Sequence, residues 1–196
     1  FAPETADGGA AEREIKHMIS TSFWSADGKP ISVQEFMDNM FGAMPEFFKN
    51  EEELRKIWSN PTTRKAFLEK IAEIGAQKIH DGMTVFTHCH ASSVTKILLK
   101  AWQDGKKFTV RNTETRPKYQ GRKTAEELAK AGIPVIHTVD SAGRLGLQKS
   151  DIFLFGADAV TAEGNVINKI GTTMFVEFAS LYQIPVYSCT NSWKFD

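Results

Sequence analysis

From about residue 83 the sequence alternates between two patterns, and this alternation constrains the fold more than any other feature. "MTVFTHC", "FTVRNTET", "IPVIHTVD", "DIFLFGAD" and "IPVYSCT" are short β-rich runs bounded by Gly, Pro, Asp or Lys-rich turns. Between them lie helical segments, "ASSVTKILLKAWQDG", "GRKTAEELAKAG", "AGRLGLQKS" and "GTTMFVEFASLYQ". Strands that alternate with helices demand right-handed crossovers, because parallel neighbours cannot be joined by tight turns. The expected fold class is therefore α/β, with a Rossmann-like parallel sheet of about five strands preceded by a small helical domain.

The earlier part of the chain has helical signals only. Ser32 and Glu35 form a capping box, with Ile31 and Phe36 as its hydrophobic staple. Val33, Phe36, Met37, Met40 and Phe41 then fall on one helical face, which predicts a core stripe rather than a cofactor site. Asn50 with Glu53 predicts a second helix start, and Asn60 followed by Pro61 a third. Residues 1–14, "FAPETADGGAAERE", are small and polar, and are expected to be a linker or disordered. The expected division is thus 1–14 linker, 15–74 helical domain and 75–196 Rossmann-like domain.

Charge and cysteine content exclude several classes. Twenty-four basic side chains balance 24 acidic ones, so neither nucleic acid nor an anionic membrane is an expected partner. Residues 1–75 carry 9 basic and 13 acidic side chains, while residues 76–196 carry 15 and 11, so the second part suits an anionic ligand. Cys89 and Cys189 are too few for a disulfide framework. With no apolar run of membrane-spanning length and no secretory pattern at the first residues, the expected setting is the cytoplasm. The chain opens on Phe1 and stops at "SWKFD", as expected of a fragment of a longer protein.

In an open parallel sheet, ligands bind outside the carboxyl ends of the strands. That rim holds His88, Cys89 and His90 after the first run, and Arg116 before Pro117 after the second. Asp140 follows the third run, Asp158 the fourth, and Thr190 and Asn191 the fifth. Each has two readings. Cys89 is either a thiol activated near a helix start or a small buried apolar residue. Asp158 is either an acid–base group, its pKa raised by partial desolvation, or a turn carboxylate. Asn168 and Lys169 either bind a sugar phosphate or cap the following helix. Arg116 is either a phosphate fork or half of a surface ion pair, and Asp140 either a ligand contact or a helix cap. Cys189 and His137 are expected in the core. His88, Cys89 and His90 lack a fourth ligand at zinc spacing, so no metal is expected. No GxGxxG or P-loop sequence occurs, which argues against dinucleotide binding and nucleotide hydrolysis.

Taken together, "THCHAS", "TETRPKYQGRKTAEELAKAGIPV", "VDSAGR" and "GADAVTAEGNVINKIGT" resemble the family that contains ribose-1,5-bisphosphate isomerase, 5-methylthioribose-1-phosphate isomerase and the α, β and δ subunits of translation initiation factor 2B. The resemblance runs from about Ile74 to Asp196. It implies aldose–ketose isomerisation of a sugar 1-phosphate without metal or redox cofactor, by a homo-oligomer (dimer or higher). Cys89 and Asp158 would be the acid–base pair, with Arg116, Gln120, Asp140, Asn168 and Lys169 in the substrate-binding region. The thiol at Cys89 favours the bisphosphate isomerase over the regulatory subunits, although the isomerases' Arg-Gly-Ala loop is absent from this chain. Residues from about 20 to 73 resemble instead the carboxy-terminal helical region of the type I restriction enzyme R subunit, which implies an assembly role and a junction near residues 70–75. Two alternatives to catalysis therefore remain: a regulatory subunit that binds a metabolite without turnover, and a restriction-enzyme assembly module.

Overall fold

The computed structural model describes residues 23–24, 30–31, 60–161, 164–191 and 194. The linker expected over 1–14 and the helices expected over 32–58 lie outside the described residues. Phe23–Trp24 (β1) and Pro30–Ile31 (β2) pair antiparallel. The first described helix, α1, is Pro61–Ala76, and its Asn60 cap accepts a hydrogen bond from the Thr62 N–H at 2.9 Å, as the Asn-Pro start predicts.

The alternation then continues as read: Thr84–Thr87 (β3), Ser92–Gln103 (α2), Thr109–Thr113 (β4), Gln120–Lys130 (α3) and Val135–Thr138 (β5). A 3₁₀ turn, Asp140–Ala142, leads into the short helix Gly143–Leu147 (α4), followed by Ile152–Phe155 (β6). A small hairpin of Ala159–Val160 (β7) and Val166–Ile167 (β8) precedes Thr172–Leu181 (α5) and Val186–Ser188 (β9). The main sheet has the order β5-β4-β3-β6-β9 with every pair parallel.

Alternating side chains divide the core between the two faces of this sheet. Val85, Val110, Ile152 and Leu154 join Val94, Ile97, Leu98 and Leu128 from α2 and α3. Phe86, Phe153 and Phe155 face the other way, against Leu147 of α4 and Phe175 and Ala179 of α5. All four β6 residues are buried, as a central strand covered on both sides requires. Phe86 packs edge-on against Phe153 at 5.2 Å between ring centroids and lies 5.1 Å from Phe175. Helix α1 adds a further layer through Gly75, where a Cβ would fall 2.5 Å from Ile97 Cγ1 and Cδ1 of α2. A side chain there would push the two helices apart.

His137, expected in the core, is exposed. It lies on β5, which has one sheet neighbour among the described residues, and its Nδ1 sits 2.9 Å from Asn112 Oδ1 on β4. Cys189 is buried as expected, and burial pushes its thiol up to about 12. No described helix is long and apolar enough to cross a membrane.

Candidate active site at the strand switch point

From the sheet centre, the chain after β3 turns one way to β4, while β6 and β9 extend the sheet the other way. The crevice between the carboxyl ends of β3 and β6 is therefore the topological switch point, where ligands of such sheets bind. A cavity of about 370 Å³ opens there, with Cys89 and His90 beyond β3 and Gly156, Ala157 and Asp158 beyond β6. Gln120, Asn168, Lys169, Cys189 and Thr190 complete much of its wall.

Close backbone approach makes the crevice narrow. At Gly156 a Cβ would lie 2.5 Å from the Cβ of Ala91, the residue before α2, so only glycine lets β6 end against that helix start. Ala91 offers no side-chain cap, and Ser92 and Ser93 of the first turn line the cavity. Helix N-termini carry unpaired N–H groups and a partial positive charge suited to an anion.

Cys89 sits in the left-handed region at φ +72°, a conformation that costs energy for a side-chain-bearing residue. Its N–H donates to Thr115 Oγ1 at 2.9 Å, and its carbonyl accepts from Thr124 Oγ1 at 3.1 Å. These bonds hold the thiol at the cavity wall. Burial pushes the Cys89 thiol above its ordinary range, and the nearby Asp158 and Asp140 carboxylates act in the same direction. The hydrogen bond from the His90 backbone and the Lys169 ammonium oppose them.

The hairpin brings the acid and the amine to one cavity. Ala159 pairs with Ile167 and Val160 with Val166, and the Asp158 N–H donates to the Ile167 carbonyl at 2.7 Å. Ten residues of sequence thus fold back, so that Asp158 and the Asn168-Lys169 pair line the same cavity. Asp158 is solvent-exposed. Asn168 Nδ2 lies 3.0 Å from Thr172 Oγ1 at the start of α5, and that hydroxyl lies 2.7 Å from the Lys169 carbonyl.

Arg116 and Asp140 do not line this cavity. The Asp140 carboxylate accepts the N–H groups of Thr115 at 2.8 Å and Arg116 at 2.7 Å, a turn-holding role. Burial alone would raise its pKa, but the Arg116 and Thr115 N–H groups hold it below the ordinary carboxylate range. Arg116 is exposed, its guanidinium 5.1 Å from the centre of the Tyr119 ring.

Two cavity groups carry unmatched polar atoms. Gln120 Oε1 and Thr190 Oγ1 are buried without a hydrogen-bond partner among the described residues. An unmatched buried polar atom costs about 1–3 kcal/mol, which a hydrogen-bonding ligand group would offset. Thr190 had a positional signal, at the carboxyl end of the last strand. Its unsatisfied hydroxyl had none.

His88 is 2% exposed, and burial holds its ring below the ordinary imidazole range. His90, beside it in sequence, is shifted the same way for the same reason. Unfolded, each imidazole titrates near pH 6.5. As pH falls through that value the unfolded chain takes up protons that the native chain refuses, so stability is lost toward acid and regained above it. Urea unfolding should therefore give lower stability at pH 5.5 than at pH 7.5, and His88→Gln should flatten that difference.

These features define a class of α/β protein with a charged cavity at the switch point of its parallel sheet. Within that class, the model of the Initiation factor 2 subunit family matches residues 49–196, and the chain belongs to this family. A ribose 1,5-bisphosphate isomerase of Thermococcus kodakarensis is 44% identical over 128 residues, covering 65% of this chain and 40% of that protein. The translation initiation factor eIF2B subunit alpha of Dictyostelium discoideum is 37% identical over 126 residues, covering 64% of this chain and 39% of its own. Among solved structures, the translation initiation factor eIF-2B of Pyrococcus horikoshii OT3 superposes with a TM-score of 0.66 at 34% identity, over 67% of this chain and 48% of that one. The chain spans about two fifths of the length of these curated relatives. The family match begins inside the stretch likened above to a restriction-enzyme subunit, and gives that likeness no support.

Proposed function

We propose that the chain carries the catalytic centre of an aldose–ketose isomerase acting on ribose 1,5-bisphosphate. The observation that carries this reading is that Cys89 and Asp158, from opposite sides of the switch point, line one cavity together with Lys169 and an uncapped helix start. Isomerisation needs no external oxidant. One proton leaves C2 and one arrives at C1, while the C2 hydroxyl gives up a proton and the ring oxygen gains one as its bond to C1 breaks. Two proton-carrying groups on either side of the sugar suffice. Lys169 and the first turn of α2 would hold the 1-phosphate, and the orphaned Gln120 and Thr190 oxygens would take sugar hydroxyls. In the same reading Asn168 holds Lys169 in place, Asp140 acts indirectly by fixing the Thr115–Arg116 turn, and the protein works as a cytoplasmic homo-oligomer.

In this reading the Cys89 thiol, which burial keeps protonated to higher pH, is the proton donor and Asp158 is its acid–base partner across the sugar. As pH rises through the thiol's pKa the donor is lost, so kcat/KM should fall on the alkaline side. Lys169 pulls that pKa down, so Lys169→Met should move the fall to higher pH. A profile that instead rises with pH would reverse the two roles. The founding test is conversion of ribose 1,5-bisphosphate to ribulose 1,5-bisphosphate by the folded protein. Tight sugar-phosphate binding without turnover would favour a regulatory role, the alternative raised by the relative named as an initiation-factor subunit.

A further inference from the structure

We propose that His88 is a positioning residue whose neutral imidazole ties the end of β3 to the Asn168–Gly171 loop, and so holds the Lys169 ammonium beside the Cys89 thiol. His88 directly precedes Cys89, but its ring turns away from the cavity and is not among the residues lining it. Its Nε2 lies 2.9 Å from the Ile170 carbonyl oxygen. A carbonyl only accepts, so Nε2 carries the proton. Nδ1 is then the acceptor in the neutral ring, 2.6 Å from Thr113 Oγ1. Asp140 Oδ1 stands 4.0 Å from the same nitrogen. One imidazole thus links the ends of β3 and β4 to the loop that carries Lys169.

The surroundings pack closely on this ring. Phe175 packs against it at 4.9 Å between centroids. Gly171 has φ +95°, and a Cβ there would lie 3.1 Å from His88 Nε2. The glycine is thus required both by its own backbone and by the closeness of the imidazole. A second tether runs alongside, from the Cys89 N–H to Thr115 Oγ1, and Thr115 is fixed in turn by Asp140. The stretch before Cys89 and the stretch after Lys169 are therefore anchored to common supports.

The inference rests on the isomerase reading only for its effect on turnover; its geometric content is read from Cys89 reactivity. The charged groups acting on that thiol are Lys169, which lowers its pKa, and Asp158 and Asp140, which raise it. The experiment measures the rate of iodoacetamide alkylation of Cys89 against pH by peptide mass spectrometry. It uses the parent chain, His88→Leu, His88→Gln, Lys169→Met and the double variant His88→Leu/Lys169→Met, each checked for a cooperative thermal transition. His88→Leu removes the bond to Ile170, so the alkylation midpoint should move to higher pH and the rate at pH 8 fall by roughly threefold or more, as for Lys169→Met. His88→Gln keeps a donor for the Ile170 carbonyl and should restore the parent profile. The double variant should show no shift beyond that of Lys169→Met, because His88 acts through Lys169. Thr113→Val, which leaves the ring in place but removes the partner of Nδ1, should move the midpoint in the same direction and serves if His88→Leu fails to fold.

An unchanged midpoint in His88→Leu and Thr113→Val, or additive shifts in the double variant, would overturn the proposal. Where ribose 1,5-bisphosphate is turned over, kcat/KM should fall by about tenfold to a hundredfold in His88→Leu and recover in His88→Gln. A protein without turnover that still shows the predicted alkylation pattern would remove the isomerase reading and leave the tether standing.

Discussion

Asp158→Asn is expected to abolish conversion of ribose 1,5-bisphosphate to ribulose 1,5-bisphosphate, lowering kcat by about 10²–10⁴-fold, the range for loss of a positioned acid–base group. Cys89→Ser should do the same, because a serine hydroxyl exchanges protons far less readily than a thiol. The two losses should be strongly non-additive, since removal of either partner stops the same transfer. Neither change should unfold the protein. Asp158 is exposed and its backbone N–H keeps its bond to Ile167, while serine preserves the size and backbone contacts of Cys89. The measurement is steady-state turnover beside a thermal melt for each variant. Parent activity that survives in either variant would remove that residue from the reaction.

Gly121→Ala is expected to have the largest effect on stability. A Cβ at this position would lie 1.7 Å from the Thr113 carbonyl oxygen and 2.9 Å from its carbon, which are backbone atoms at the end of β4. Backbone cannot rotate aside, so α3 must move away from the sheet. Two contacts would go with it: the Gly121 N–H to the Glu114 carbonyl at 3.1 Å, and Asn112 Nδ2 to the Gly121 carbonyl at 2.7 Å. The cost should reach about 3 kcal/mol, the upper part of the range for overpacking, and lower the melting temperature by on the order of 10 °C. Because Gln120 is the neighbouring residue and lines the cavity, sugar-phosphate affinity should fall as well. Calorimetric melting and ligand titration read the two effects separately.

Much of the architecture could be read before any coordinates. The five β-rich runs became the five strands of one parallel sheet because short β-branched and aromatic runs bounded by turn residues are a local signal. Helix α1 began where Asn60 and Pro61 placed it, since capping is settled within four residues. Cys89, Gln120, Asp158, Asn168 and Lys169 were all picked out in the sequence, and all line one cavity. Strand ends can be read from the pattern, and the switch-point rule converts ends into a site.

What could not be read depended on contacts distant in the chain. The β7–β8 hairpin has only two residues per strand, too short for a periodic signal, yet it brings Lys169 to the cavity that Asp158 also lines. His137 sits in a run that looks like a core strand, but edge position is a property of sheet order, and there β5 has a single neighbour among the described residues. Asp140 reads equally as a ligand contact or a cap until Thr115 and Arg116, 25 and 24 residues away, are seen to donate to it. The sequence by itself determined the element order, the parallel sheet and the residues at its rim, because these follow from local periodicity and short-range capping. Only the tertiary structure decided which rim residues share a cavity, which carboxylate stays exposed, and that His88 faces away from the thiol beside it, because those outcomes depend on strand order and on side chains that meet across the sheet.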